Sequence, residues 1–555
     1  MENKKLTPWL RLVGLLQLEK RDILQIFYYA IFAGMVALSL PLGIQAIINL
    51  IQGAQISTSW IILVIIVTLG VAFSGALQLM QLRIIETIQQ RIFTRSSFEL
   101  AYRFPKIKMA ELRNYYPPEL ANRFFDTLTI QKSLSKILID VPTAVLQILF
   151  ALILLSFYHP FFIIFGLLLL ILVFVVFKFT AVKGLETSLK ESKNKYRVAH
   201  WIQEIARSVI SFKLSGSTSL GIKKNDELVS DYLKARESHF RVLMLQFIQM
   251  ISFKVIVTAS LLLIGGALVL NQEMNIGQFV AAEIIIILVI ASVEKLILGL
   301  ESFYDTLTSL EKIGQIVDKD LESQKGESLQ SNKGLRIELE NVGYEVANRE
   351  KHILKNISLN INSKSRILIK GESGSGKSTL LRLISGVIQA TSGHIYVNDM
   401  SISSLHLNFF RSQLGMSLSD ENPFEGSIKE NLTFSNPNIA DEKIHEVLEI
   451  VGLKAFLKDQ PDGLNTILYP DGRQMSYTLS KKIVLARSIL KDPKILILED
   501  ALDRFNLAET KNIVDYLTHP DRPWGLAVVS SSDVWMGKCT EVITLEKGKI
   551  KSKNS

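Results

Sequence analysis

Residues 371–379 read Gly-Glu-Ser-Gly-Ser-Gly-Lys-Ser-Thr, a complete G-x-x-x-x-G-K-[ST] phosphate loop. The loop follows an apolar run at 367–369, typical of a buried strand, and precedes Leu-Leu-Arg-Leu-Ile at 380–384, typical of a starting helix. A strand, a glycine-rich loop and a helix in this order are the setting in which such loops bind phosphates. The sequence therefore predicts a nucleotide-binding α/β domain.

The chemistry of this loop predicts ATP and Mg²⁺ as cofactors. Glycines let backbone N–H groups converge on a triphosphate, and the helix N-terminus adds partial positive charge. Lys377 is predicted to reach the β- and γ-phosphates, and the Ser378 hydroxyl to bind Mg²⁺. The predicted nucleotide contacts in the loop are Gly371, Ser373, Gly374, Ser375, Gly376, Lys377, Ser378 and Thr379. The competing interpretation, a chance Gly/Ser-rich loop, is disfavoured by the flanking strand and helix.

The first 300 residues or so hold most of the apolar sequence in this chain, which has 555 residues and is 48% hydrophobic. A helix needs roughly 20 apolar residues to cross a bilayer. Six stretches meet that length, at 23–51, 60–81, 136–158, 160–180, 243–270 and 279–300. Cys539 is the only cysteine, so intrachain disulfides are excluded.

Charge predicts the orientation of these spans in the membrane. Lys and Arg are abundant before the first span and in the links 82–135 and 181–242, and they are absent from 52–59, 158–160 and 271–277. This alternation predicts a multi-pass protein of the inner (plasma) membrane with both termini in the cytoplasm. The net charge of +9 is assigned to cytoplasmic loops, so no nucleic-acid partner is expected.

Both long links have helical periodicity, so we expect the spanning helices to continue into the cytoplasm. The alternative is two separate cytoplasmic subdomains, which would need apolar cores and glycine punctuation of their own. The predicted domains are a helical transmembrane domain at 1–310, a polar linker at 311–334, and an α/β domain at 335–555, where short β-rich runs alternate with helical patterns.

Six spans followed by a phosphate-loop domain resemble an ATP-binding-cassette (ABC) half-exporter, over nearly the whole chain. Further motifs carry the resemblance. They are the first strands at 339–342 and 354–359, the Q-loop region at 411–431, and a signature helix at 483–488 that leads into a Walker B strand at 493–498. Residues 109–126 and 201–214 resemble bacterial type I secretion and peptide exporters. The N-terminal cysteine-peptidase-like domain of some members is not expected, because the residues before the first span hold no cysteine.

The resemblance implies a nucleotide site whose motifs are degenerate. The Q-loop glutamine falls on Ser419, and the switch histidine falls on Ser531. The Walker B Asp-Glu pair is reversed as Glu499-Asp500. Glu499 is predicted to hold Mg²⁺, and Asp500 is predicted to be the catalytic base, one methylene shorter than the usual glutamate.

Two further positions depart from the family pattern. The Leu-Ser-Gly-Gly-Gln signature aligns with 475–479, Met-Ser-Tyr-Thr-Leu. Ser476 keeps a hydroxyl for the nucleotide, whereas Tyr477 and Thr478 carry Cβ atoms where glycines admit close approach. The adenine-stacking position falls on Val346, and Tyr344, two residues earlier, is the aromatic candidate. ATP binding is therefore expected, and hydrolysis is the doubtful step.

The leading interpretation is ATP-dependent export across the bacterial inner membrane by a dimer. The dimer is a homodimer or a heterodimer with another ABC half-transporter. Type I protein or peptide secretion would add a periplasmic adaptor and an outer-membrane channel as partners. The alternatives are an ATP-binding conformational-switch subunit with little or no hydrolysis, and a lipid flippase.

Overall fold

The computed structural model describes residues 6–52, 58–328, 334–346 and 352–554. The chain divides into two units, which are 1–106 with 112–319, and 107–111 with 320–555. The second unit therefore includes a short segment that precedes most of the first in sequence. There, Ile107 bridges antiparallel to Leu321, and the Lys108 N–H donates to the Asp320 carbonyl at 3.0 Å. The predicted first domain at 1–310 is contiguous, so the sequence analysis did not anticipate this segment.

The first unit is helical. The helices up to Val317 are α1 Pro8–Leu18, α2 Lys20–Ala37, α3 Ser39–Gln52, α4 Thr58–Arg103, α5 Met109–Leu112, α6 Pro117–Ala121, α7 Asp126–Ser156, α8 Phe161–Arg207, α9 Val209–Leu214, α10 Leu220–Ser260, α11 Gly266–Leu270 and α12 Ile276–Val317. Of these, α5 lies mostly in the segment 107–111, which belongs to the second unit. Local sequence signals set several of their starts. Thr7 caps α1, with Pro8 in its first turn, and Asn275 and Gln278 form a capping box at α12.

The long helices exceed the thickness of a bilayer. Helix α4 has 46 residues and α8 has 47, about 70 Å each at 1.5 Å per residue, against a hydrocarbon core of about 30 Å. Helices α4 and α7 run into the link 82–135 from its two ends, and α8 and α10 run into the link 181–242, where the sequence predicts continuations of the spanning helices.

Five helical segments among the described residues are long and apolar enough to cross a membrane. They are Lys20–Gln52, Thr58–Lys106, Pro117–Ser156, Leu220–Leu270 and Ile276–Val317. The remaining predicted span, 160–180, lies in α8, where the apolar segment found is Phe161–Ile171. The last helix runs to Val317, so the first residues of the predicted linker 311–334 are helical, and 329–333 lie outside the described residues.

The second unit alternates strands and helices. Its strands are β1 Arg336–Glu345, β2 His352–Asn362, β3 Arg366–Gly371, β4 Ser392–Val397, β5 Met400–Ser401, β6 Leu414–Ser417, β7 Gly426–Ser427, β8 Ile467–Leu468, β9 Ile495–Glu499, β10 Gly525–Val529, β11 Glu541–Glu546 and β12 Lys549–Asn554. Its helices are α13 Lys377–Ile384, α14 Leu407–Ser412, α15 Ile428–Thr433, α16 Asp441–Ile450, α17 Lys454–Lys458, α18 Tyr477–Leu490 and α19 Leu507–Thr518.

A six-stranded sheet positions the site, in the order β12-β11-β3-β10-β9-β6. All neighbouring pairs except β11 with β12 are parallel. The parallel strands β3, β9 and β10 are apolar throughout their centres and buried, as expected for strands covered on both faces. Their carboxyl ends meet at one edge, which brings together the residues that follow β3, β6, β9 and β10.

Candidate nucleotide site

The phosphate loop leaves the end of β3 and enters the N-terminus of α13, as the sequence predicts. Gly371, Gly374 and Gly376 have φ angles of 152°, 80° and 102°, a region that favours glycine. A Cβ at Gly371 would lie 2.3 Å from the Leu545 carbonyl oxygen, so side chains there are excluded by the neighbouring strand. These positions therefore require glycine, which fixes the conformation of the loop backbone.

The polar atoms of the loop fit a bound phosphate. The Ser375 hydroxyl is buried and has no hydrogen-bond partner among the described residues. The Lys377 ammonium donates to the carbonyl oxygens of Gly371 and Glu372 at 2.7 and 2.8 Å, so it lies over the loop. Ser378 and Thr379 lie in the first turn of α13, and Ser373 is exposed at the rim. An orphaned donor, an ammonium group and a helix N-terminus together suit an anion.

The two predicted carboxylates lie at the neighbouring strand end. Glu499 ends β9 and is 3% exposed, and its Oε2 accepts a 3.3 Å hydrogen bond from the Ser419 N–H. Ser378 and Glu499 offer one hydroxyl and one carboxylate, a donor set that suits Mg²⁺ completed by phosphate and water oxygens. When bound, that ion would neutralise phosphate charge. Among the described residues, there is no group of three or more His, Cys, Asp or Glu side chains that could hold a metal ion.

Asp500 turns away from the strand in an unusual conformation. Its φ is 47°, and its N–H donates to the Val529 carbonyl at 2.9 Å. Burial, with the neighbouring Asp503 carboxyl adding to it, raises the pKa of Asp500 to about 6. A carboxyl group with a pKa near neutrality suits a proton acceptor.

Asp503 is a site residue that the sequence analysis missed. It lies beside Asp500, and its Oδ1 accepts a 3.1 Å hydrogen bond from the Ser530 hydroxyl at the end of β10. Ser530 is buried, whereas Ser531, the position of the switch histidine, is exposed. The sequence signal was only a third acidic residue three positions after Asp500, which gives no indication of contact.

Lys481 is a second residue that the sequence analysis missed. It lies on α18, is 2% exposed, and donates to the carbonyl oxygens of Ser419 and Glu421 at 2.7 and 2.6 Å. Burial lowers the pKa of the Lys481 ammonium, against the opposite effect of Glu421 and the other nearby carboxylates. Lys481 thereby fixes the turn whose Ser419 N–H contacts Glu499.

We expect Lys481→Met to weaken the Mg²⁺ dependence of ATP binding, because the freed turn no longer orients Glu499. ATP affinity measured with and without Mg²⁺ by calorimetry should differ about tenfold less in the variant than in the wild type. Lys481→Arg, which keeps the charge and donors, should recover part of the difference. Lys482→Met on the same helix serves as the control, because Lys482 pairs with Glu509 instead. An unaltered Mg²⁺ effect in Lys481→Met would contradict this role.

The predicted signature and adenine contacts lie elsewhere on the domain. Ser476 is exposed and caps α18, with its hydroxyl accepting from the Leu479 N–H at 3.2 Å. Tyr477 is 40% exposed and lies under the Arg504 guanidinium at 4.4 Å. Tyr344 is only 8% exposed and belongs to the core between the six-stranded sheet and a four-stranded sheet of order β2-β1-β4-β5. That burial argues against Tyr344 as a platform for the adenine ring.

Comparison with known proteins agrees with this architecture. The ABC transporter transmembrane region family matches residues 23–293, and the ABC transporter family matches residues 354–503. A solved bacterial Atm1-family ABC exporter with ATP bound superposes with a TM-score of 0.84 over 97% of this chain and 95% of its own. Its sequence is 16% identical, so this likeness concerns the fold.

Two relatives are translocation ATP-binding proteins. HlyB of Escherichia coli O157:H7, for alpha-hemolysin, is 30% identical over 48% of this chain and 38% of its own length. LktB of Mannheimia haemolytica, for leukotoxin, is 26% identical over 62% of this chain and 49% of its own length. The chain thus spans about half the length, or less, of these curated relatives. The two family matches, the phosphate loop and the fold agree, and the chain belongs to the ABC transporters, with a helical transmembrane domain followed by an ABC nucleotide-binding domain.

Proposed function

We propose that the chain is the half-molecule of a dimeric exporter that binds Mg-ATP and moves a substrate across the bacterial inner membrane, with both termini in the cytoplasm. The observation that carries this is the meeting of the phosphate loop, Glu499 and Asp500 at one sheet edge, in a chain with membrane-spanning helices. The proposed domain limits are 1–319 and 320–555, with 107–111 grouped with the second.

The proposed nucleotide contacts are the loop residues 371–379 and, from the other chain of the dimer, Ser476. Exposure of Ser476 at the start of α18 supports a contact with a second chain. Glu499 and Ser378 are the proposed Mg²⁺ ligands, and Asp500 is the proposed base. Hydrolysis is slow in this proposal, because the short side chain of Asp500 sits back from the attacking water and Ser531 replaces a group that could carry charge.

The substrate class is proposed from the relatives. HlyB and LktB are named for the translocation of alpha-hemolysin and leukotoxin. The proposal extends this to a protein or peptide substrate, exported with a periplasmic adaptor and an outer-membrane channel. The test is transport into inverted vesicles that contain the purified chain. ATP-dependent uptake of peptides supports the proposal, whereas transfer of labelled lipid between leaflets without peptide uptake would favour a flippase. ATP binding with neither activity would favour the conformational-switch subunit.

We expect the chain to be a dimer when ATP is bound, because one chain supplies only half of each composite site. Light scattering in nanodiscs should give twice the mass of 62.4 kDa. Ser476→Trp, which puts a bulky side chain at the exposed helix start and removes the N-cap of α18, should reduce the ATP-induced dimer. Ser363→Trp, in a turn outside the site, is the control. A monomer at saturating ATP would contradict the proposed assembly.

A further inference from the structure

A second polar cavity lies within the helical unit, remote in sequence from the phosphate loop. Its volume is about 1260 Å³, and its walls come from the start of α1, the segment before α7, and parts of α8, α10 and α12. The volume exceeds what one metal or water cluster needs and is sufficient for a molecule of nucleotide size. We refer to it as the helical-unit pocket, defined by Tyr116, Arg123, Tyr196, Trp201 and Lys312.

Two basic side chains in this pocket are buried without a carboxylate partner. Arg123 is 8% exposed and Lys312 is 7% exposed. Arg123 donates to the Gln315 side chain, and its Nε has no hydrogen-bond partner. Lys312 lies over the Tyr196 ring at 4.9 Å. Within the described part of the chain, neither makes an ion pair. The buried Asp126 carboxylate acts on both cations, so two positive charges face one negative charge. A buried excess of charge is costly, which indicates that an anion completes the pocket.

The acidic residues of the pocket do not fill that role. Glu119 contacts His200 at 2.9 Å, and Glu204 contacts Arg207 at 2.6 Å. A buried carboxylate beside the two cations, Asp126, accepts a hydrogen bond from the Tyr196 hydroxyl. Glu311, the remaining pocket carboxylate, lies 3.8 Å from Arg11. Because the Tyr196 hydroxyl is neutral, Asp126 still offsets one of the two buried cations. The five Lys and Arg side chains of the pocket exceed these four carboxylates.

Aromatic rings line the same pocket. Trp201 is 9% exposed and lies under the Lys224 ammonium at 4.1 Å, and Tyr116 lies near the Arg207 guanidinium at 5.7 Å. Rings beside cations suit a ligand that has an apolar or aromatic part as well as an anionic group.

The position of the pocket favours a ligand from water. Lys312 follows the predicted span end at residue 300, and Tyr196 follows the predicted span end at 180, which places them about 18 and 24 Å farther along their helices. The headgroup layer extends only roughly 5–8 Å beyond the hydrocarbon on each side. A lipid phosphate in the headgroup layer would therefore not reach these cations.

We propose that the helical-unit pocket binds a soluble organic anion through a carboxylate or phosphate group, held by Arg123 and Lys312 and flanked by the aromatic rings. This site is separate from the nucleotide site, and the inference does not depend on the proposed transport substrate.

The test uses the full chain in phosphatidylcholine nanodiscs with a non-hydrolysable ATP analogue at saturation, so that the phosphate loop is occupied. The probe is the aromatic trianion 8-hydroxypyrene-1,3,6-trisulfonate, followed by fluorescence anisotropy. We expect saturable binding that inorganic phosphate and succinate compete for and that glycine betaine does not. Arg123→Gln and Lys312→Met should each weaken the probe at least tenfold, and Lys183→Gln, an exposed site on α8, should change it less than twofold.

The affinity of the ATP analogue should be the same in all variants, and this measurement distinguishes a change in folding from a change in the pocket. If the buried substitutions lower it, the exposed rim variant Lys193→Gln, expected to weaken the probe about threefold, replaces them. Equal probe affinity in wild type and pocket variants overturns the proposal. The absence of probe binding to the wild type also overturns it, because a second chain would then cover the pocket. Displacement of the probe by phosphatidylglycerol alone overturns it too, because a lipid would then be the ligand.

Discussion

Lys377→Ala should abolish ATP binding at micromolar nucleotide. In the structure its ammonium lies over the phosphate loop, held by the Gly371 and Glu372 carbonyl oxygens, where a triphosphate would replace these acceptors. Removing one member of a desolvated charge pair commonly costs about 2–4 kcal/mol, which corresponds to roughly 30- to 1000-fold in Kd. Calorimetric titration with Mg-ATP measures the change directly.

Lys364→Ala is the matched control for this substitution. Lys364 is exposed in the turn that precedes β3, so it carries the same charge without reaching the loop. The control should leave the Kd within about twofold of the wild type, in line with the small effects of exposed charges. ATP affinity in Lys377→Ala equal to that of the control would refute the assignment of the phosphate loop.

Asp500→Asn should eliminate ATP hydrolysis and leave ATP binding intact. Asparagine keeps the size of the side chain but cannot accept the proton of the attacking water, and general-base catalysis contributes about 10²–10⁴-fold. Phosphate release in nanodiscs and a parallel binding titration separate the two properties. Asp515→Asn on α19, an exposed carboxylate paired with Lys538, is the control.

The pH dependence gives an independent check on Asp500. With its pKa raised to about 6, the carboxyl is largely protonated at pH 5 and largely ionised at pH 7. Hydrolysis that uses the ionised form should therefore rise between these values, and the rise should be absent in Asp500→Asn. If Asp500→Asn hydrolyses ATP at the same rate as the wild type, some other group positions the water.

The fold was predictable because its signals are local. The phosphate loop between an apolar strand and a helix, and the apolar runs of bilayer length, both depend on neighbouring residues alone. The sequence did not predict that 107–111 belongs with the second unit, because the bridge from Ile107 to Leu321 joins residues far apart in the chain. Helix α12 also continues through polar residues as far as Val317, inside the predicted linker, so the start of the linker stays a prediction.

The site was predictable only where a motif names the residue. Glu499 follows a recognisable strand, whereas Lys481 and Asp503 act through contacts between separate elements that only the folded chain reveals. Tyr344 is the opposite case. Its aromatic side chain fitted the expected role, but a bulge between Leu339 and Val342 shifts the alternation along β1, so that Tyr344 is buried in the core together with Val342. Whether the degenerate motifs slow hydrolysis stays a prediction.

The left-handed backbone at Asp500 bears on how this sequence could change. Asp and Asn tolerate that conformation better than residues with longer side chains, which pay of order 1 kcal/mol there. Glutamate at this position would therefore carry that cost in the turn after β9, whereas asparagine would not. The local backbone thus favours the short carboxylate, and the common Walker B order would need two substitutions, at Glu499 and Asp500, of which the second works against the turn.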